Sequence, residues 1–211
     1  MSGSFLDLLS RSPAAGFFFV LTVVTSVLDF MTNRSLQQYF IHNPHLVYHR
    51  KQYWRLFTSG LIHANWLHLG INMFVFYVFA FLLEYRYLGD WQFAVVYVGS
   101  ILFGSLPSLA DHKNNPQYNT LGASGGVSGL LFSFVLFSPF ETLYVFAILP
   151  MPAWMFAVLF VVYSYFAGRQ AYDNVNHRAH LFGALAGALL TMIVRPKVFD
   201  MLEYYISQRL G

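Results

Sequence analysis

Ser124 and His180 are the residues of this 211-residue chain whose types and settings point most directly to covalent chemistry. A serine hydroxyl is a weak nucleophile until a base takes its proton, and a neutral imidazole at hydrogen-bond distance does this near pH 7. Ser124 lies in Gly122-Ala123-Ser124-Gly125-Gly126-Val127-Ser128-Gly129, at the mouth of an uncharged apolar run that continues to Phe140. His180 opens the last apolar run, His180-Leu181-Phe182-Gly183-Ala184-Leu185-Ala186-Gly187. On a helix, Gly183, Ala184 and Gly187 share a face with His180. Small residues let helix backbones approach closely in lipid. Two helices smoothed in this way bring a serine and an imidazole within reach.

Attack on an amide carbonyl creates an oxyanion that needs preorganised donors, each lowering the barrier by roughly 3 to 4 kcal/mol. His68 and Asn72, at i and i+4, share one helix face and supply such donors alongside the Ser124 backbone N–H, provided their span lies beside Ser124. His63 falls in the same stretch, where the bland alternative is a structural histidine bonded to backbone carbonyls. Two of these histidines with His180 do not make a metal site: no acidic ligand stands at their depth, and His63 and His68 are five apart and face differently. No metal and no cofactor is expected. Asp173 precedes His180 by seven residues in a polar loop, which favours a solvated carboxylate and a dyad over a triad.

The elements that position these groups are set by composition. Charged residues are 10% of the chain, against roughly a quarter in soluble domains, while apolar residues are 57% and aromatics 19%. Uncharged stretches run over 14–28, 58–83, 91–110, 114–140, 142–168 and 179–194. Each is near or above the roughly 20 residues that cross a bilayer core. The expectation is an all-α, polytopic membrane protein of about six helices in a single domain over residues 1–211. A short polar lead occupies 1–13 and a tail 198–211. The lead carries Asp7 and Arg11 and no small-residue cleavage site follows it, so a cleaved secretion signal is not expected. Absent cysteine excludes disulfide and thiol chemistry. A small, scattered net charge of +3 suits lipid headgroups better than a nucleic-acid groove, which needs clustered Lys and Arg.

In order, the spans are predicted at about 14–31, 59–83, 91–106, 122–137, 153–166 and 179–194. The loop over 32–57, with Trp54 and Arg55, is too long for a turn and should hold short interfacial helices. Residues 142–149 should be extended or irregular, divided from the fifth helix by Pro150-Met151-Pro152. Alternating spans put five cations on one side and seven on the other, so charge does not choose the orientation.

Trp54-Arg55 in the first loop, His63, His68 and Asn72 in the second span, Gly122-x-Ser124-Gly125 at the fourth, and Ala179-His180 followed by Gly183-x-x-x-Gly187 in the sixth together resemble the rhomboid family of intramembrane serine proteases. The resemblance covers about residues 50 to 195. It implies a six-transmembrane-helix rhomboid bundle with Ser124 as nucleophile, His180 as general base, and His68 and Asn72 on the oxyanion side. It further implies a water-accessible cavity open to the non-cytoplasmic side, single-span membrane proteins as substrates, and a fifth helix that acts as a movable gate. Short length resembles the basic bacterial form, and hence a multi-pass protein of the bacterial cytoplasmic membrane. Where many members have an aromatic residue four places after the nucleophile, packed on the base, this chain has Ser128.

Two other readings compete. An inactive rhomboid-like binding or quality-control factor should lack the serine or the histidine, and both are present. A transporter or channel should show paired half-repeats or ionisable residues across several spans, and the chain has neither. Its apolar faces would meet lipid or another copy alike, so the oligomeric state is left open.

Overall fold

The computed structural model describes residues 5–145, 148–169 and 175–210. The chain is mostly helical: α1 (Phe5–Arg11), α2 (Pro13–Met31), α3 (Gln37–Phe40), α4 (Pro44–Arg50), α5 (Arg55–Thr58), α6 (Trp66–Leu82), α7 (Asp90–His112), α8 (Ser124–Phe137), α9 (Ala153–Ala167), α10 (His177–Val194) and α11 (Val198–Leu210). A tight turn, Ser59–Leu61, precedes α6, and a π-helical turn, Leu83–Leu88, prolongs it. Strands β1 (Thr142–Val145) and β2 (Leu149–Pro152) pair antiparallel, with Thr142 opposite Pro152.

Among the described residues, four helical stretches are long and apolar enough to cross a membrane: Pro13–Met31, Trp66–Leu88, Asp90–His112 and His177–Val194. Helices α8 and α9 are apolar but shorter. Along α2, exposed Phe17, Val20, Val24 and Leu28 recur at helical spacing, as do Leu185, Leu189 and Ile193 along α10. Only an apolar solvent accommodates such stripes on the outside of a bundle. The chain is an integral multi-pass membrane protein.

Helix α8 is the axis of the bundle. Nearly all of it, from Gly125 to Phe134, is buried, as expected of a helix apolar all round. Its most extensive neighbours are α10 and α7, and α10 packs on both. The Thr191 and Ser133 hydroxyls meet across the α10–α8 seam at 2.8 Å.

Charged groups at the span ends knit the rest. Glu84, 2% exposed, accepts from the backbone N–H of Ala14 (3.0 Å) and Ala15 (2.5 Å). Its carboxylate thereby caps the N-terminus of α2, where the Ser12 side chain makes no cap and donates instead to the Phe81 carbonyl. At the other end of α2, buried Asp29 accepts from the Leu36 N–H and pairs with Arg34, which donates to the carbonyls of His63 and Ala64.

Several expected boundaries shift. The polar lead contains α1. The third span, α7, runs on through Pro107 to His112, and Pro150 to Pro152, expected only to divide the extended stretch from the fifth helix, lie in β2, which pairs with β1. The helix of the second span begins at Trp66, because the Asn65 side chain accepts from the His68 N–H and caps it there. His63 therefore stands before that helix, not on it.

Candidate active site

The nucleophile candidate is placed by a glycine turn. Gly122 has φ of 116°, and its N–H donates to the Ser59 carbonyl at 2.9 Å. A side chain there would be strained, and a Cβ would stand 2.6 Å from His68 Cε1. Glycine thus permits both the turn and the approach of the His68 ring. Two residues later Ser124 begins α8, so its hydroxyl sits at the positive end of that helix.

The base candidate is placed by a cap and a seam. Asn176 accepts from the Ala179 N–H at 3.0 Å, while its own amide donates to Ser108 Oγ of α7 at 2.8 Å, fixing the start of α10. His180 follows one turn in. A Cβ on Gly183 would lie 2.7 Å from the Gly125 carbonyl carbon, and one on Gly187 would be 2.5 Å from that of Gly129. Both helices thus present glycines four apart, 125 with 129 and 183 with 187, and touch backbone to backbone. Gly104 of α7 closes on the same point, where a Cβ would be 3.5 Å from Gly125 Cα. His180 Nε2 is 2.7 Å from Ser124 Oγ as a result. For the serine to donate to Nε2, the proton of the neutral ring must sit on Nδ1.

His68 and Asn72 of α6 flank the turn. The Ala64 N–H points at His68 Nδ1 across a long 3.5 Å, an arrangement that leaves the proton on Nε2 and makes that atom a donor. Asn72, 5% exposed, donates one amide hydrogen to the His68 carbonyl at 2.9 Å and keeps the other.

His63, fully buried, is a brace. Its Nε2 accepts from the Ala123 N–H at 3.3 Å, and its Nδ1 lies 2.9 Å from Ser26 Oγ, which donates to the Leu61 carbonyl at 2.9 Å. One assignment satisfies the whole chain: Ala123 N–H to Nε2, Nδ1–H to Ser26 Oγ, Ser26 O–H to Leu61. The residue before Ser124 is thereby tied to α2.

Trp54 and Arg55 are not brought to Ser124. Arg55, 3% exposed, donates to Gln52 Oε1 and to the carbonyls of Ile41 and Gln38, and Trp54 Nε1 donates to the Tyr39 carbonyl. They shape the loop, which reaches the site indirectly through the His42–Thr120 backbone pair, two residues before Gly122. Asp173 lies outside the described residues. Ser26, Ser59, Asn176 and Ser108 were missed from sequence. Only Asn176 had a local signal, a capping residue just ahead of an apolar helix.

A cavity of about 40 Å³ adjoins the serine, lined by Ser59, Thr120, Gly122, Ser124 and Asn176 among others. It is lined by both polar and apolar groups and is large enough for water. A serine hydroxyl beside an imidazole, two side-chain donors and room for water form an arrangement that can support acyl transfer to water.

A rhomboid domain family model matches residues 50–197. The chain is 31% identical over 144 residues to "Putative rhomboid protease YdcA" of Bacillus subtilis, covering 67% of each. It is 30% identical over 176 residues to "Inactive rhomboid-related protein 2" of Caenorhabditis elegans, covering 76% of this chain and 47% of that protein, about half its length. To "Rhomboid-like protein 11, chloroplastic" of Arabidopsis thaliana it is 25% identical over 189 residues, 86% of this chain and 66% of the relative.

Proposed function

Because the chain belongs to the rhomboid family, we propose that it is an intramembrane serine endopeptidase that cleaves single-span membrane proteins within or near the bilayer. The observation that carries this reading is the 2.7 Å contact between His180 Nε2 and Ser124 Oγ. In this mechanism Ser124 Oγ attacks the scissile carbonyl carbon as its proton passes to His180 Nε2. The oxyanion is met by the Ser124 N–H, His68 Nε2–H and the second amide hydrogen of Asn72. As the C–N bond breaks, His180 returns the proton to the leaving amine. A water from the adjoining cavity, deprotonated by His180, then hydrolyses the acyl-enzyme and frees Ser124.

The bundle crosses the membrane six times, through α2, α6, α7, α8, α9 and α10, with the mouth of the site on the non-cytoplasmic side of a bacterial cytoplasmic membrane. Helix α9 forms the gate through which the substrate helix arrives from lipid. Its partners are the bilayer and transmembrane substrates. The mechanism calls on no cofactor and no nucleic acid.

The similarity to a relative named inactive favours one second reading, a non-catalytic factor that binds other membrane helices. A serine-directed fluorophosphonate separates the two. Labelling at Ser124 in the wild type, absent from His180→Ala, supports the protease; an unlabelled, folded wild type supports the binding factor.

A further inference from the structure

A base must stay aligned with its nucleophile through the reaction. Ser128, one turn below Ser124, is buried but has only a short hydroxymethyl side chain and no ring to lay on His180. A ring that stands against the base comes from its own helix. His177 opens α10 three residues before His180, which puts the two on one face. Their ring centroids are 6.1 Å apart at an interplanar angle of 78°. His177 is 6% exposed, and Tyr163 of α9 stands edge-on to it, 5.3 Å away at 90°.

We propose that His177 is a positioning residue for His180, and that its contact with Tyr163 carries the position of α9 to the base. The proposal rests on the protease reading above and adds to it. Helix α9 meets the described core chiefly through α10, with a smaller contact to α8. Tyr163 of α9 is 61% exposed. When α9 lies against α10, Tyr163 backs His177 and His177 backs His180. When α9 swings out, the support is withdrawn. Base alignment is thereby coupled to the seating of the gate helix.

The test is steady-state cleavage of a single-span reporter in liposomes, with thermal melting of every variant to count folded enzyme. Misplacement of a reacting group by about 1 Å costs up to about 100-fold in rate, so His177→Ala should lose about tenfold or more in kcat with KM little changed. His177→Phe, which keeps a ring, should recover most of it. Tyr163→Ala should lower kcat in the wild-type background and add nothing to His177→Ala. The structure of His177→Ala should show His180 Nε2 moved out of hydrogen-bond reach of Ser124. Wild-type kcat and an unchanged Ser124–His180 contact in His177→Ala would overturn the proposal, as would His177→Phe being as impaired as His177→Ala. If Ser124→Ala still cleaves, or if the wild type does not, the protease reading fails, and the Ser124–His180 distance in His177→Ala still decides the positioning role.

Discussion

Gly183→Ala tests the seam that sets the site. The new Cβ would stand 2.7 Å from the Gly125 carbonyl carbon and nearer still to its oxygen, whereas such contacts are ordinary only from 3.4 Å. The obstacle is backbone, so no side chain can rotate aside, and α10 must move off α8 by about 0.7 Å or more. Applied to the 2.7 Å between His180 Nε2 and Ser124 Oγ, that shift takes the pair to about 3.4 Å, past the useful range of a hydrogen bond. Overpacking of this kind destabilises by about 1 to 3 kcal/mol. Loss of alignment lowers reactivity by about 100-fold. The assay is the rate of fluorophosphonate labelling at Ser124 beside a thermal melt in detergent. Gly187→Ala, two turns from His180, should lose similar stability but less labelling rate. Gly70→Ala, with nothing within 4 Å of the new methyl, is the control and should be neutral or stabilising by about 0.5 to 1 kcal/mol. A Gly183→Ala protein that melts and labels like the wild type would refute the backbone contact and the positioning argument built on it.

Glu84→Ala strips the acceptor from two buried N–H groups at the head of α2 and should lower stability by about 1 to 3 kcal/mol, read as a lower melting temperature with the labelling rate per folded molecule retained. Ser26→Ala leaves the His63 Nδ1–H unsatisfied. It should destabilise by about 1 to 3 kcal/mol and slow labelling several-fold, because Ala123 loses its fixed acceptor. His42 in the first loop is fully buried, with neither ring nitrogen in full hydrogen-bond geometry. Burial pushes its pKa from 6.5 down to about 4, the Ser105 backbone opposing in part and Arg55 adding to the fall. The unfolded chain therefore binds more protons between these values, and stability is intact above pH 6.5 and falls as pH drops toward 4. The loss from this residue is about 2 kcal/mol at pH 5, so His42→Leu should melt with a shallower acid decline; an equal decline in both proteins would refute the assignment.

The Ser124–His180 pair was legible because its signals are local: glycines four apart on each helix, with the hydroxyl next to the contact on one and the imidazole one turn before it on the other. The pairing of Asn72 with His68 was legible from spacing alone. Helix ends were less so. Pro107 suggests a stop, yet α7 continues, since a proline removes one internal bond and neighbouring packing sustains the rest. His63 reads as part of a span until Asn65 is seen as its cap. The contacts Glu84 to Ala15, Ser26 to His63 and Arg55 to Gln38 join residues far apart or in irregular backbone, and no periodicity announces them. Trp54 and Arg55 serve the loop, because a guanidinium that donates to two backbone carbonyls and to the Gln52 side chain organises the loop rather than a substrate.

The central claim is that Ser124, activated by His180, cuts a peptide bond of a membrane-embedded substrate. It is tested most directly by incubating purified wild type and Ser124→Ala with a single-span reporter in liposomes and resolving the products. Cleavage at one bond by the wild type and none by Ser124→Ala is the predicted result. Equal cleavage by both proteins would contradict the account.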